Sequence, residues 1–294
     1  MMPTPRRFKQ VDVFSQQACK GNPLAVILDA DGLDDEAMQA IARWTNLSET
    51  TFVLTPDDPQ ADYRVRIFTP AQELPFAGHP TLGTAHALLE AGLVPHVPHQ
   101  LIQQCGIGLV PIARHDNGQL AFRAPDALLS MPDIGQPGLT GDAIGSHFHH
   151  TAHPVVRVDM GIRWLTVPMQ SAQACLQATP DSTLLQQLLE KTQCDGVALY
   201  GPHESHHELD YEVRAFFIAG ETLVEDPVTG SANACIARVL QHQPLPECAS
   251  PLLGYLVRQG TMLYRDGRIS VTYVDGYPWI GGHSNTLING HITL

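Results

Sequence analysis

Two stretches 147 residues apart in the chain share one short template. His79 to Ala85 reads H-P-T-L-G-T-A and Asp226 to Ala232 reads D-P-V-T-G-S-A, so both fit x-P-x-x-G-[S/T]-A, with His79 over Asp226 and Thr84 over Ser231. A repeat at this spacing constrains the fold strongly, because each copy has to be built on the same supersecondary plan. The match extends upstream, where Y-R-V-R-I-F (Tyr63 to Phe68) answers Y-E-V-R-A-F (Tyr211 to Phe216) at a spacing of 148, a difference that one insertion or deletion in the connecting loop explains. Both alternate as strands do. Downstream, Leu109 to Ala113 followed by Asp116 to Phe122 resembles Thr261 to Tyr264 followed by Asp266 to Val271, in each case two strands about a D-G or N-G turn. Each half thus reads as strands, one apolar helix, then a hairpin.

The helices that follow the motifs, Thr81 to Ala91 and Gly230 to Leu240, carry small and apolar residues on most faces, as a helix enclosed by protein does. A sheet curled around one central helix would enclose it. Asp34 to Trp44 and Ser182 to Lys191, the latter behind Asp181 as a cap, read instead as amphipathic surface helices. A chain of 294 residues is long for one core. Periodicity fades and Pro, Gly and Asp become dense between Pro125 and His153, which suggests domains at 1–125 and 126–279, with a strand in 280–294 returning to the first.

A formal net charge of −13 opposes a nucleic-acid partner or an anionic membrane. The N-terminus lacks the apolar region of a secretory signal, and no run approaches the roughly 18 apolar residues of a membrane span, so a soluble cytoplasmic protein is expected. Cys19, Cys105, Cys175, Cys194, Cys235 and Cys248 form no C-x-x-C pair and read as free, mostly buried thiols. The histidines at 147, 149 and 150 and at 203, 206 and 207 fall among loop-forming residues and are not taken as metal ligands.

In the paired motif, proline at the first helical position would make His79 and Asp226 the N-cap residues. Glycine and a small hydroxyl residue then let a ligand approach the first-turn amides, which favour anions. If the two helix starts face one another across a cleft between the halves, one carboxylate-bearing molecule could sit there; simple capping also accounts for both residues. Asn46 to Leu54, N-L-S-E-T-T-F-V-L, shows no clear counterpart in the second half and puts Ser48 and Glu49 at the mouth of an apolar strand. Partial desolvation there raises a carboxyl pKa and suits it to proton transfer, although a surface strand-end glutamate fits the same residues.

The blocks Q-V-D-V-F-S (Gln10 to Ser15), G-N-P-L-A-V-I (Gly21 to Ile27), L-S-E-T-T-F (Leu47 to Phe52), T-P-A-Q-E-L-P-F-A-G-H-P-T-L-G-T-A (Thr69 to Ala85) and E-D-P-V-T-G-S-A (Glu225 to Ala232) resemble the PhzF family of phenazine-biosynthesis isomerases. The resemblance implies an α+β, diaminopimelate-epimerase-like fold: two similar, pseudo-symmetric domains, each a β-barrel-like sheet wrapped around a central helix. It also implies Glu49 as general acid/base, with His79, Asp226 and Ser231 as catalytic partners and Ser48, Gly78 and Gly230 in the substrate-binding set. The activity implied is isomerisation of a small, carboxylate-bearing, cyclic metabolite without metal or other cofactor, the expected partners being that substrate and a second copy of the chain. Related epimerases and racemases use two cysteines, one from each half, and neither motif here holds one. A racemase, epimerase or dehydratase of an amino or imino acid remains the alternative, and a catalytically silent binding protein the third reading.

Overall fold

The computed structural model describes residues 4–134, 138–146, 153–204, 207–243 and 253–294. The chain divides into two compact units, residues 1–123 with 281–294 and residues 124–280.

Unit 1 begins with β1 (Pro5–Val13) and β2 (Asn22–Ile27), followed by α1 (Asp35–Thr45), β3 (Glu49–Leu54), β4 (Tyr63–Phe68), β5 (Glu73–Leu74), α2 (Gly78–Glu90), β6 (Gln100–Cys105), β7 (Gly108–Arg114) and β8 (Leu120–Arg123). Unit 2 carries β9 (Leu128–Ser130), α3 (Leu139–Ile144), β10 (Val156–Asp159), β11 (Arg163–Pro168), α4 (Ala172–Gln177), α5 (Ser182–Thr192), β12 (Gly196–Pro202), β13 (Tyr211–Ala219), β14 (Thr222–Asp226), α6 (Gly230–His242), β15 (Tyr255–Gln259) and β16 (Gly267–Val274). The chain continues through β17 (Tyr277–Gly282) to β18 (Ser284–Thr293), which pairs antiparallel with β1 in unit 1.

The pairings repeat. In unit 1, β1 is antiparallel to β2, β2 parallel to β3, β3 antiparallel to β4, β4 parallel to β6 and β6 antiparallel to β7. The series β10, β11, β12, β13, β15, β16 has the same senses in the same order. The crossover helices α1 and α5 supply the connections that parallel neighbours require. Their ends agree with the sequence: Asp34 and Asp181 accept hydrogen bonds from the amides of Ala37 and Leu184, and Asn46 and Gln193 close the helices in the left-handed region at φ 53° and 54°.

Side chains on neighbouring positions of a strand point to opposite faces, and β3 uses both. Phe52 joins Met38, Ile41 and Phe68 beneath α1, and its ring meets that of Phe68 edge-on at 5.5 Å. Thr51 on the other face accepts a hydrogen bond from Thr84 of α2 at 2.9 Å. That central helix is buried from Gly78 to Ala85 and packs on β1, β2, β3, β8 and β18. In unit 2, α6 is buried from Gly230 to Leu240 against β10, β11 and β12, while Leu185 and Leu188 of α5 pack with Leu165, Val197 and Phe216.

The fold corrects the register of the repeat. Phe68 pairs with Glu73, and its counterpart Phe216 pairs with Glu225, so the hairpin in unit 2 is longer by four residues. Beyond it the copies run 152 residues apart, E-L-P-F-A-G-H (Glu73 to His79) over E-D-P-V-T-G-S (Glu225 to Ser231), and α2 and α6 are both 13 residues long. His79 therefore corresponds to Ser231, and Asp226 to Leu74; the template that set His79 over Asp226 matched different elements. A single loop insertion does not describe the change either.

The N-cap assignment falls with it. Ala77 and Thr229 are the N-caps, and neither makes a side-chain capping bond. His79 is the second residue of α2, and Pro80 is tolerated behind it because a first-turn amide has no intrahelical acceptor. Asp226 ends β14 outside its helix. Thr261–Leu263, expected as a strand, is a single 3-10 turn, because Gly260 (φ 92°) and Tyr264 (φ 58°) break the extended path on either side. The strand of that hairpin is β15, which pairs with β16.

Among the described residues no helix is long and apolar enough to cross a membrane, and no group of three or more His, Cys, Asp or Glu side chains could hold a metal ion. His147, His149, His150, His206 and Cys248 lie outside the described residues. His203 and His207 stack at 4.3 Å, and His203 Nε2 lies 3.3 Å from the buried Glu212 carboxylate.

Candidate active site

Glu49 reaches its place because the chain turns from α1 into β3 within three residues, through the left-handed Asn46. The hydroxyls of Thr45 and Thr50 meet at 2.7 Å and tie the helix end to the strand. Across β2, Leu24 is the register partner of Glu49. Upstream, the Asp12 carboxylate accepts hydrogen bonds from the amides of Lys20 and Gly21. A Cβ on Gly21 would stand 2.1 Å from the Val13 carbonyl oxygen, so only glycine lets the chain pass there and deliver Asn22 to the start of β2.

These elements bring three side chains of unit 1 together. His79 Nε2 lies 3.2 Å from Glu49 Oε2, and the other ring nitrogen, Nδ1, lies 3.4 Å from the Asn22 amide nitrogen. The side chains of His79 and Glu49 are 4% and 15% exposed, so both are largely cut off from water. Burial pushes the His79 pKa down to about 3, leaving the imidazole neutral at ordinary pH. With the Asn22 side-chain N–H pointing at Nδ1, the ring's one hydrogen sits on Nε2, the nitrogen nearest Glu49, but the 3.2 Å approach does not have the angles of a hydrogen bond. The result is a carboxyl group set beside an imidazole that is neutral at ordinary pH. Ser48 precedes Glu49 at the strand mouth, and Gly78 is the buried first residue of α2.

Unit 2 builds a different cluster on the equivalent scaffold. Asp226 accepts the Thr229 hydroxyl at 2.6 Å. Gln259 on β15 braces the short path from strand to helix: its amide nitrogen donates to the Asp226 carbonyl and the Thr229 hydroxyl, while its oxygen accepts from the Thr229 amide and from Asn233. Ser231, the second residue of α6 after the buried Gly230, is 9% exposed, and its Oγ accepts the indole N–H of Trp164 at 3.0 Å. With no side-chain cap on α6, its first-turn amides and the Ser231 hydroxyl form a locus of donors, the arrangement that suits a carboxylate.

A family model described as phenazine biosynthesis-like protein, PhzC-PhzF, matches residues 11–290. The chain belongs to this family. It is 34% identical over 302 residues to antisense-enhancing sequence 1 of Schizosaccharomyces pombe, with 98% of each chain covered. It is also 34% identical over 243 residues to trans-2,3-dihydro-3-hydroxyanthranilate isomerase of Pseudomonas aeruginosa, covering 82% of both. Among solved structures, a phenazine biosynthesis protein of the PhzF family from Bacillus anthracis superposes with a TM-score of 0.83 at 25% identity, covering 99% of this chain and 100% of that one.

Among the predicted residues, Glu49 and His79 thus meet in unit 1, while Asp226, Gly230 and Ser231 share one strand-to-helix turn in unit 2. Sequence reasoning missed Asn22, Trp164 and Gln259. Asn22 lay within the quoted G-N-P-L-A-V-I block; Trp164 and Gln259 carry no local signal, since each becomes informative only through its strand partner.

Proposed function

We propose that this protein is an isomerase that moves a proton within a small, carboxylate-bearing ring compound, with Glu49 as the single acid/base. The observation that carries the reading is the 3.2 Å approach of the buried, neutral His79 to Glu49. The Glu49 carboxylate takes a proton from a ring carbon, and the electron pair left behind delocalises into the adjoining unsaturated system. The protonated carboxyl, whose hydrogen exchanges with solvent, then delivers a proton to another carbon on the same face, and the double bonds shift accordingly. No electron leaves the substrate, so the step needs no redox partner. The neutral His79 ring stands 3.2 Å from one Glu49 oxygen and leaves the other to the substrate, a positioning role in general acid/base catalysis. Asp226, Ser231 and the amides beginning at Gly230 hold the substrate's polar groups, assisted by Ser48 and Gly78.

The Pseudomonas aeruginosa relative named for isomerising trans-2,3-dihydro-3-hydroxyanthranilate supports this class of substrate. Thiol-based racemisation finds no support: burial pushes the thiols of Cys175 and Cys235 well above their ordinary pKa, which keeps them protonated. The test is incubation with trans-2,3-dihydro-3-hydroxyanthranilate in deuterium oxide, followed by NMR. Isomerisation with deuterium entering only the carbons that gain or lose the proton supports the reading; recovery of unchanged, undeuterated compound counts against this substrate class.

A further inference from the structure

We propose that Trp164 occupies in unit 2 the place that Glu49 occupies in unit 1, and that it fixes Ser231 as a hydrogen-bond donor to an anionic group of the substrate. The inference rests on the reading of Ser231 as a substrate-holding residue.

Strand register establishes the correspondence. Leu24 pairs with Glu49 across β2 and β3, and Trp164 pairs with Gly196 across β11 and β12. Thr50 faces Phe68 as Val197 faces Phe216, so Glu49 and Gly196 hold the same position. Gly196 has no side chain because the indole fills that volume: a Cβ there would lie 2.5 Å from Cζ3 and 3.0 Å from Cε3 of Trp164. The helix residue facing this volume is His79 in unit 1 and Ser231 in unit 2, both second in their helices. The Glu49 carboxyl oxygen stands 3.2 Å from the first, and the Trp164 indole nitrogen 3.0 Å from the second.

The chemistry of the two partners is opposite. A carboxylate accepts hydrogen bonds and protons, whereas an indole N–H can only donate and does not titrate in the accessible range. Its hydrogen fills one lone pair of Ser231 Oγ, so the serine hydrogen has to point elsewhere. Among the described residues the structure gives that hydrogen no acceptor. The hydroxyl near the helix start in unit 1, that of Thr81, stands at the place of Asn233 and, like it, bonds back to the N-cap carbonyl, Ala77 in unit 1 and Thr229 in unit 2. The duplicated scaffold thus carries one position for a base and one from which a base is excluded by the indole.

The probe is benzoate, a ring carboxylate with no proton to relocate, with dissociation constants measured by calorimetry for the wild-type protein, Trp164→Phe, Ser231→Ala and the double variant. Phenylalanine retains a ring beside Gly196 and removes the N–H. The expected result is a loss of affinity of about tenfold for each single variant, and no further loss in the double variant, since both act through one donor. Loss in Ser231→Ala but none in Trp164→Phe overturns the role of Trp164 and leaves that of Ser231. No benzoate binding by the wild-type protein, or equal binding by all four, overturns the reading of Ser231 as well. If Trp164→Phe does not fold, the indole N–H resonance of Trp164 decides: benzoate shifts it in the wild-type protein and not in Ser231→Ala if the proposal holds, and an unmoved resonance overturns it.

Discussion

Arg66 with Glu73 in unit 1 and Arg214 with Glu225 in unit 2 are the same ion pair twice, at equivalent positions on equivalent hairpins. Both are two-pronged, through Nε and a terminal nitrogen of the guanidinium. They differ in exposure. The side chains are 21% and 41% exposed in the first pair and 7% and 10% in the second. Arg214 also donates to the carbonyls of Cys175, Leu176 and Ala178, which anchor the end of α4. Replacing Glu73 by Gln removes a solvent-screened pair and leaves Arg66 its contact with Asp35, so the cost is about 0–1 kcal/mol. Replacing Glu225 by Gln strands a buried guanidinium, for which about 3–5 kcal/mol is the usual cost. Urea unfolding followed by far-ultraviolet circular dichroism separates the two, because both units hold helices and strands that the signal reports on. With a slope of about 2 kcal/mol per molar, the Glu225 variant should lose roughly 1.5–2.5 M in midpoint and the Glu73 variant less than about 0.5 M. Equal shifts would refute the argument that burial distinguishes the pairs.

Two further outcomes follow from the site. His79 has a folded pKa of about 3 against about 6.5 unfolded, so between those values the unfolded chain binds the extra proton: this contribution is complete above pH 6.5 and is lost as pH falls toward 3. Across that window the unfolding free energy of His79→Gln should fall less steeply with acidification than that of the wild-type protein, by up to about 1.4 kcal/mol per pH unit, as measured by urea titrations at fixed pH; parallel pH profiles would contradict a buried neutral imidazole. Asp226→Asn keeps an acceptor for the Thr229 hydroxyl, so stability should change by about 1 kcal/mol or less while turnover falls at least tenfold; unaltered turnover would confine Asp226 to holding the turn.

Much of this was legible in the sequence, for reasons particular to the residues. Alternation marked β4 and β13, and the acidic caps Asp34 and Asp181 marked α1 and α5, because those signals are local. Glu49 was legible because an ionisable group opening an apolar strand is chemically anomalous. The register of the repeat was not. Pro, Gly and small hydroxyl residues recur wherever a chain enters a packed helix, so the x-P-x-x-G-[S/T]-A match aligned two entries into helices five residues out of step. The deciding quantity, the length of the β13–β14 hairpin, depends on where strands pair across a turn. The counterpart of Glu49 was hidden for the same reason: it is a glycine, and only the tryptophan on the adjacent strand explains it.

The central claim is that Glu49 carries the proton. Glu49→Gln preserves the shape and the contact with His79 while removing the titrating oxygen. Its effect is read as the rate of deuterium exchange into trans-2,3-dihydro-3-hydroxyanthranilate, or another substrate identified by the same assay, alongside an unfolding curve. The account predicts a wild-type unfolding midpoint with exchange and isomerisation both reduced about a hundredfold or more. Exchange at the wild-type rate in a folded Glu49→Gln protein would contradict it.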